Sequence, residues 1–170
     1  MRIRTVISVL AVAAVLMVSA PAFAQEKGAA NVAFGYSNLT FFDPTDSLPA
    51  GWNANVGVGV SSNAAFVGEI GGHYESGVKL HTFQGGLRIA SRTNPKTVPF
   101  FQVLTGLGRF SAGGFSSNAW TLSPGGGVDV QINEQASFRG QVDWVLMRSG
   151  GANSNAMRFG AGIVINMPKK

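Results

Sequence analysis

The second half of this chain alternates with a period of two. In Trp120-Thr121-Leu122 and Val128-Asp129-Val130-Gln131-Ile132 the even positions are apolar and the odd ones small or polar. Phe138, Gly140, Val142, Trp144 and Leu146 keep that phase against Ser137, Arg139, Gln141 and Asp143. Strict alternation describes strands whose two faces meet different surroundings. One face is bulky and apolar; the other is glycine with a few charges. Function therefore turns on which face is wet.

The N-terminal segment is set aside before any fold reasoning. Arg2 and Arg4 form a basic start, residues 6–20 form an apolar run too short for a convincing helical span, and Ala22-Phe23-Ala24 reads as a cleavage site. This divides the chain into a secretory signal, 1–24, and one domain, 25–170. Removing Arg2 and Arg4 takes the formal charge from +5 to +3 (5 − 2). No basic stripe with interleaved aromatics is present, so nucleic acid is not an expected partner. The absence of cysteine excludes disulfides, thiolate metal sites and an N-terminal lipidated cysteine.

Turn-forming clusters cut the rest into eight candidate strands, near 31–40, 51–61, 64–75, 78–91, 98–110, 118–132, 136–147 and 155–167. Connections at 61–63 and 133–135 are tight and 92–97 is moderate. Stretches 42–50, 111–117 and 148–154 read as longer loops, with 75–77 a short exception at the same end. Eight hairpin-linked strands suggest an all-β, antiparallel up-and-down barrel, closed so that no sheet edge remains. A sandwich is the structural alternative.

Charged residues are 12% of the chain, against about 25% in ordinary soluble domains. Lys27, Lys79, Lys96, Lys169 and Lys170 all lie near a terminus or a turn. The small face carries Gly57, Gly59, Gly86, Gly106, Gly108, Gly127, Gly160 and Gly162, which suits the narrow inside of an eight-stranded barrel. The other face would overfill that inside but fits lipid, and strands of about 9–11 residues cross an apolar layer. Trp52, Tyr74, Trp120 and Trp144 fall near one end of their strands, and Phe66, Phe101 and Phe138 near the other, as two interfacial girdles would. Val130 is expected on the lipid face near mid-layer.

The run Ser123-Pro124-Gly125-Gly126-Gly127-Val128-Asp129-Val130, then Phe138-Arg139-Gly140-Gln141-Val142-Asp143-Trp144, then Arg158-Phe159-Gly160-Ala161-Gly162 resembles the last three strands of small outer-membrane β-barrels of the OmpA-like and OmpX-like type. The resemblance implies a transmembrane barrel in a Gram-negative outer membrane, monomeric, among outer-membrane lipid and lipopolysaccharide. Both termini and the short turns would face the periplasm, and the longer loops would face outward. It also implies an assembly signal for the outer-membrane insertion machinery, matched by Arg158, Gly160, Ile163 and Ile165. Members of the family usually end on an aromatic residue, whereas this chain continues Asn166-Met167-Pro168-Lys169-Lys170.

Parity puts Glu69, His73, Arg88, Asp129, Arg139, Asp143 and Arg158 on the glycine face. A three-residue loop at 133–135 sets Asp129 opposite Arg139, and a final turn centred on Gly150-Gly151 sets Asp143 opposite Arg158. These charges read either as a structural plug of salt bridges or as a gate on a very narrow pore, with Arg88, Arg139 or Arg158 exchanging carboxylates. An enzyme is not expected. His73-Tyr74-Glu75-Ser76 holds the residue types of a hydrolase, but alternation splits His73 and Glu75 from Ser76, and the stretch does not match the His-x-Ser motif of lipid A deacylases. Two histidines without a carboxylate at ligand spacing make no metal site, and no cofactor is expected. His81 breaks its strand's parity and suggests a bulge. The role that remains is structural, or contact through the loops. The alternative is a soluble exported calycin-like barrel with its bulky face inward around a small apolar ligand.

Overall fold

The computed structural model describes residues 29–42 and 47–167. The signal at 1–24, its cleavage after Ala24, positions 43–46 of the first connection and Lys169-Lys170 lie outside the described residues. Eight strands follow in order: β1 (Ala30–Phe41), β2 (Ser47–Gly59), β3 (Ala64–Glu75), β4 (Val78–Ala90), β5 (Thr97–Ala112), β6 (Phe115–Gln131), β7 (Ala136–Ser149) and β8 (Ala152–Met167). Each pairs antiparallel with its chain neighbours, and β8 closes on β1 from Ala30↔Met167 to Phe41↔Ala156. Closure leaves no unpaired strand edge for another chain to pair with. The expected all-β up-and-down barrel is the observed fold.

Both described chain ends lie at one end of the barrel, the terminal end. The opposite end, the turn end, differs from expectation. Stretches 111–117 and 148–154 are mostly strand, and the connections shrink to Gly113-Gly114 and Gly150-Gly151. Their φ values are +55° and +85°, then +55° and +89°. Two positive φ values in a two-residue loop make a type I′ hairpin, whose twist matches that of the strands. Ser76-Gly77 does the same at +41° and +88°. The longer described connections, at 60–63, 91–96 and 132–135, lie instead at the terminal end. Serine and asparagine around 111–118 and 149–155 have loop composition, but a glycine pair that can turn back at once lets the backbones on either side go on pairing.

The one register shift among the β1–β2 pairs lies between Ser37 and Leu39, beside Pro49. The bulge expected at His81 is absent, because β4 pairs without interruption on both sides. His81 belongs to the outward phase of Phe83 and Leu87. Its neighbour Leu80 points inward and is buried, which is what disturbed the apolar pattern.

The bulky face is outside. Phe34, Val56, Val58, Phe66, Ile70, Phe83, Leu87, Val103, Leu107, Val142, Phe159 and Ile163 are all exposed around the wall. Inside are Asn53, Asn55, Glu69, Gln84, Arg88, Gln102, Arg139, Gln141, Asp143 and Arg158, all buried. Val130 is exposed as expected, but it pairs with Thr97 and Phe138 at the terminal ends of their strands, so it sits at the rim of the apolar band and not at its middle.

Candidate functional site

The interior is a stack of three layers, each fixed by strand register. In the middle layer Asp143 stands directly opposite Arg158, and in the layer nearer the terminal end Asp129 stands opposite Arg139, as pairing parity requires. Arg158 donates to Asp143 Oδ2 from Nε at 3.1 Å and from Nη2 at 2.9 Å. Its Nη1 lies 2.6 Å from Glu69 Oε1. One guanidinium thus bridges two carboxylates from β3 and β7 with almost no solvent contact, an arrangement that offsets the desolvation of all three charges only because they are paired. Gln102 extends the chain, donating to Asp143 Oδ1 at 3.0 Å, while Gln141 donates to Oδ2 at 3.1 Å. Gln102 belongs to β5 and Asp143 to β7. They meet because the residue between them on β6 is Gly125, where a Cβ would come within 2.1 Å of Asp143 Oδ1.

Towards the terminal end, Arg139 grips Asp129 through Nε–Oδ1 and Nη2–Oδ2, both 2.7 Å, and reaches Asn55 Oδ1 at 3.2 Å with Nη1. Such two-pronged pairing is the geometry guanidinium favours. Phe100 points inward here, against the strand's outer aromatic Phe101, and the guanidinium carbons of Arg88 and Arg139 lie 4.6 and 4.8 Å from its ring centroid. A ring face attracts cations at this range. Arg88 donates to Gln102 Oε1 from Nε at 3.0 Å and Nη2 at 2.7 Å. Arg92, in the 91–96 connection, has its guanidinium pKa lowered by burial, raised by Asp129 and lowered again by Arg139.

Towards the turn end the lining becomes apolar. Leu39, Leu48, Leu80, Val145, Met147 and Ala156 pack together inside, with Phe41, Val78 and Ala119 against them. Just beneath, Ser37 Oγ lies 2.7 Å from His73 Nε2. Ser37 pairs with Gly51 and Gly51 with His73, so the two side chains close over a position that has none. Sequence reasoning placed His73 inside but looked for its serine at Ser76, which is in the β3–β4 turn. The apolar layer, Phe100 and Ser37 were all missed.

The seven expected interior charges are thus all inside, though unequally joined. Glu69, Asp143 and Arg158 form one group and Asp129 with Arg139 a second. Arg88 connects through Gln102, and His73 binds Ser37. The aromatics sort by height outside. Trp52, Tyr74, Trp120 and Trp144 lie towards the turn end, and Phe66, Phe101 and Phe138 towards the terminal end. Trp52 Nε1 donates to Tyr74 Oη at 3.3 Å, and that oxygen lies 3.2 Å from His81 Nε2. Phe66 and Tyr74 share a face eight positions apart, which at about 3.3 Å per residue and a tilt of about 40° puts them about 20 Å apart along the axis. Of the expected assembly signal, Arg158 and Gly160 face inward, while Ile163 and Ile165 face out. Among the described residues no three His, Asp or Glu side chains are arranged to hold a metal.

No protein-family model and no curated protein matches the chain. Solved structures do. Neisserial surface protein A is similar with a TM-score of 0.66 at 11% identity, over 84% of this chain and 98% of that one. The N-terminal barrel domain of Pseudomonas aeruginosa OprF gives 0.55 at 12% identity, over 81% and 97%. The attachment invasion locus protein Ail of Yersinia pestis gives 0.52 at 14%, over 82% and 99%. The chain therefore has the fold of the small eight-stranded outer-membrane β-barrels.

Proposed function

We infer that the mature chain is an integral outer-membrane barrel that serves the envelope structurally or by surface contact, with an interior filled by side chains. The observation that carries this reading is the inversion of polarity: the wall is apolar on all sides and the charges are inside. A bilayer requires that inversion together with a closed backbone, and water disfavours it. The soluble calycin-like alternative needs the bulky face inside around a ligand, and its support is correspondingly weak.

The filled interior is supported by three obstructions in series: the apolar layer, the Arg158 group and the Arg139–Phe100–Arg88 group. An eight-stranded barrel is narrow enough for side chains to fill. A gate by carboxylate exchange is less well supported, since Arg158 already engages both Glu69 and Asp143. The non-enzymatic reading draws on the enclosure of Ser37 and His73, each almost wholly buried, where no lipid substrate reaches.

Contact with other molecules falls to the turn end. Lys79, Arg109 and Arg148 are exposed there on outward positions, at the height where lipopolysaccharide phosphates would lie with the termini periplasmic. The β5–β6 hairpin carries Phe115, 84% exposed, beside its turn. Assembly by the outer-membrane insertion machinery would read β8.

The test is a urea wash of envelopes from producing cells. Retention of the mature protein in the washed membrane is expected. Release into the supernatant would overturn the integral-barrel reading.

A further inference from the structure

At the terminal mouth a small cavity is lined by Asn31, Asn63, Arg88, Arg92, Phe100, Asp129 and Arg139 among others. Its free volume is about 20 Å³, enough for one water-sized occupant, which needs roughly 10–15 Å³. Three guanidinium groups and one carboxylate line it, and Asp129 is already held by both prongs of Arg139. Arg88 forms no ion pair among the described residues, since its hydrogen bonds go to the neutral Gln102.

Arg88 Nη1 is buried without a hydrogen-bond partner, on a side chain only 5% exposed. A buried cation left without an anion is costly, and so is an unused donor. Asn31 Oδ1 and Asn63 Oδ1 are also buried and unpartnered at this cavity. Turning either amide over would present its NH₂ group to the same space.

We propose that this mouth binds one small monovalent anion of chloride size between Arg88, Arg92 and Arg139. The anion supplies the charge that Arg88 lacks and accepts from its free Nη1. The free volume of about 20 Å³ fits an ion of that size. The site is independent of the membrane reading, because cavity and charges are properties of the barrel itself.

The experiment has two arms on the mature barrel refolded in a non-ionic detergent. Crystals grown in sodium bromide are measured at the bromine absorption edge, and urea unfolding is followed in sodium chloride against sodium gluconate at equal ionic strength. An anomalous peak among the three arginines is expected, with a saturable rise of the unfolding midpoint in chloride alone. At ten times its dissociation constant the anion lowers the unfolding constant roughly tenfold. Arg88→Gln should abolish both effects. If that variant does not fold, the wild-type contrast between chloride and gluconate still decides. Water alone in the cavity, or a bromide peak without a saturable chloride effect (an adventitious ion only), would overturn the proposal. So would a larger saturable stabilisation by phosphate than by chloride.

Discussion

Arg158 faces Asp143 across the β7–β8 ladder and holds a single oxygen of it with two nitrogens, Nε at 3.1 Å and Nη2 at 2.9 Å. Its remaining nitrogen takes Glu69. Removing this one cation leaves two buried carboxylates facing each other. Arg158→Met should therefore destabilise the barrel by about 3–5 kcal/mol, the range for breaking a buried pair from one side. Urea unfolding in detergent or lipid measures it. The triple variant with Glu69→Gln and Asp143→Asn should recover much of the loss, and failure to recover any would mean that Arg158 matters for packing and not for charge.

Depth should govern the cost of charge on the wall. Ile70 lies midway between Phe66 and Tyr74, so Ile70→Lys should cost about 2–4 kcal/mol in a bilayer. Val130→Lys, at the rim, should cost about 0–1 kcal/mol. Equal costs at the two positions, read by unfolding from lipid vesicles, would show that no apolar layer surrounds the barrel.

Ser76 is the sole non-glycine residue with positive φ among the described residues, at +41°. Left-handed backbone costs most side chains about 1–2 kcal/mol, and asparagine tolerates it better. Ser76→Asn should raise stability by about 0.5 kcal/mol, since Asn-Gly is a preferred type I′ pair. A lower urea midpoint for the variant would point to a contact of the serine hydroxyl that outweighs the backbone gain.

In planar bilayers the wild-type barrel should show no conductance steps. Arg139→Ala should stay silent too, because the Arg158 group and the Leu39–Leu80–Met147 layer still close the axis. Steps in the wild type that change with Arg139→Ala would support a gate in place of a plug.

The strands, their number and the side that each face takes were legible because alternation runs through every strand and barrel closure leaves one arrangement. The opposition of Asp129 to Arg139 and of Asp143 to Arg158 followed from parity and loop length alone. What escaped was of two kinds. Loop length at the turn end was misjudged because serine and asparagine suit a solvated hairpin as well as a loop, and only the glycine pairs at 113–114 and 150–151 carried the difference. Contacts across two strands also escaped. Ser37 and His73 are separated by 36 positions, and their meeting depends on β1, β2 and β3 being in register together.

Glycine between such partners also guards against mispairing. A strand that slips by two residues keeps its apolar side out and its polar side in, so alternation alone does not penalise the error. The gap at Gly51 does. After a slip, Ser37 and His73 would be parted by a side chain where Gly51 now leaves a hole, and two buried polar groups would lose each other. The space in the lumen is thus part of the folding code: this vacant position accepts one alignment of three strands and rejects its nearest look-alikes.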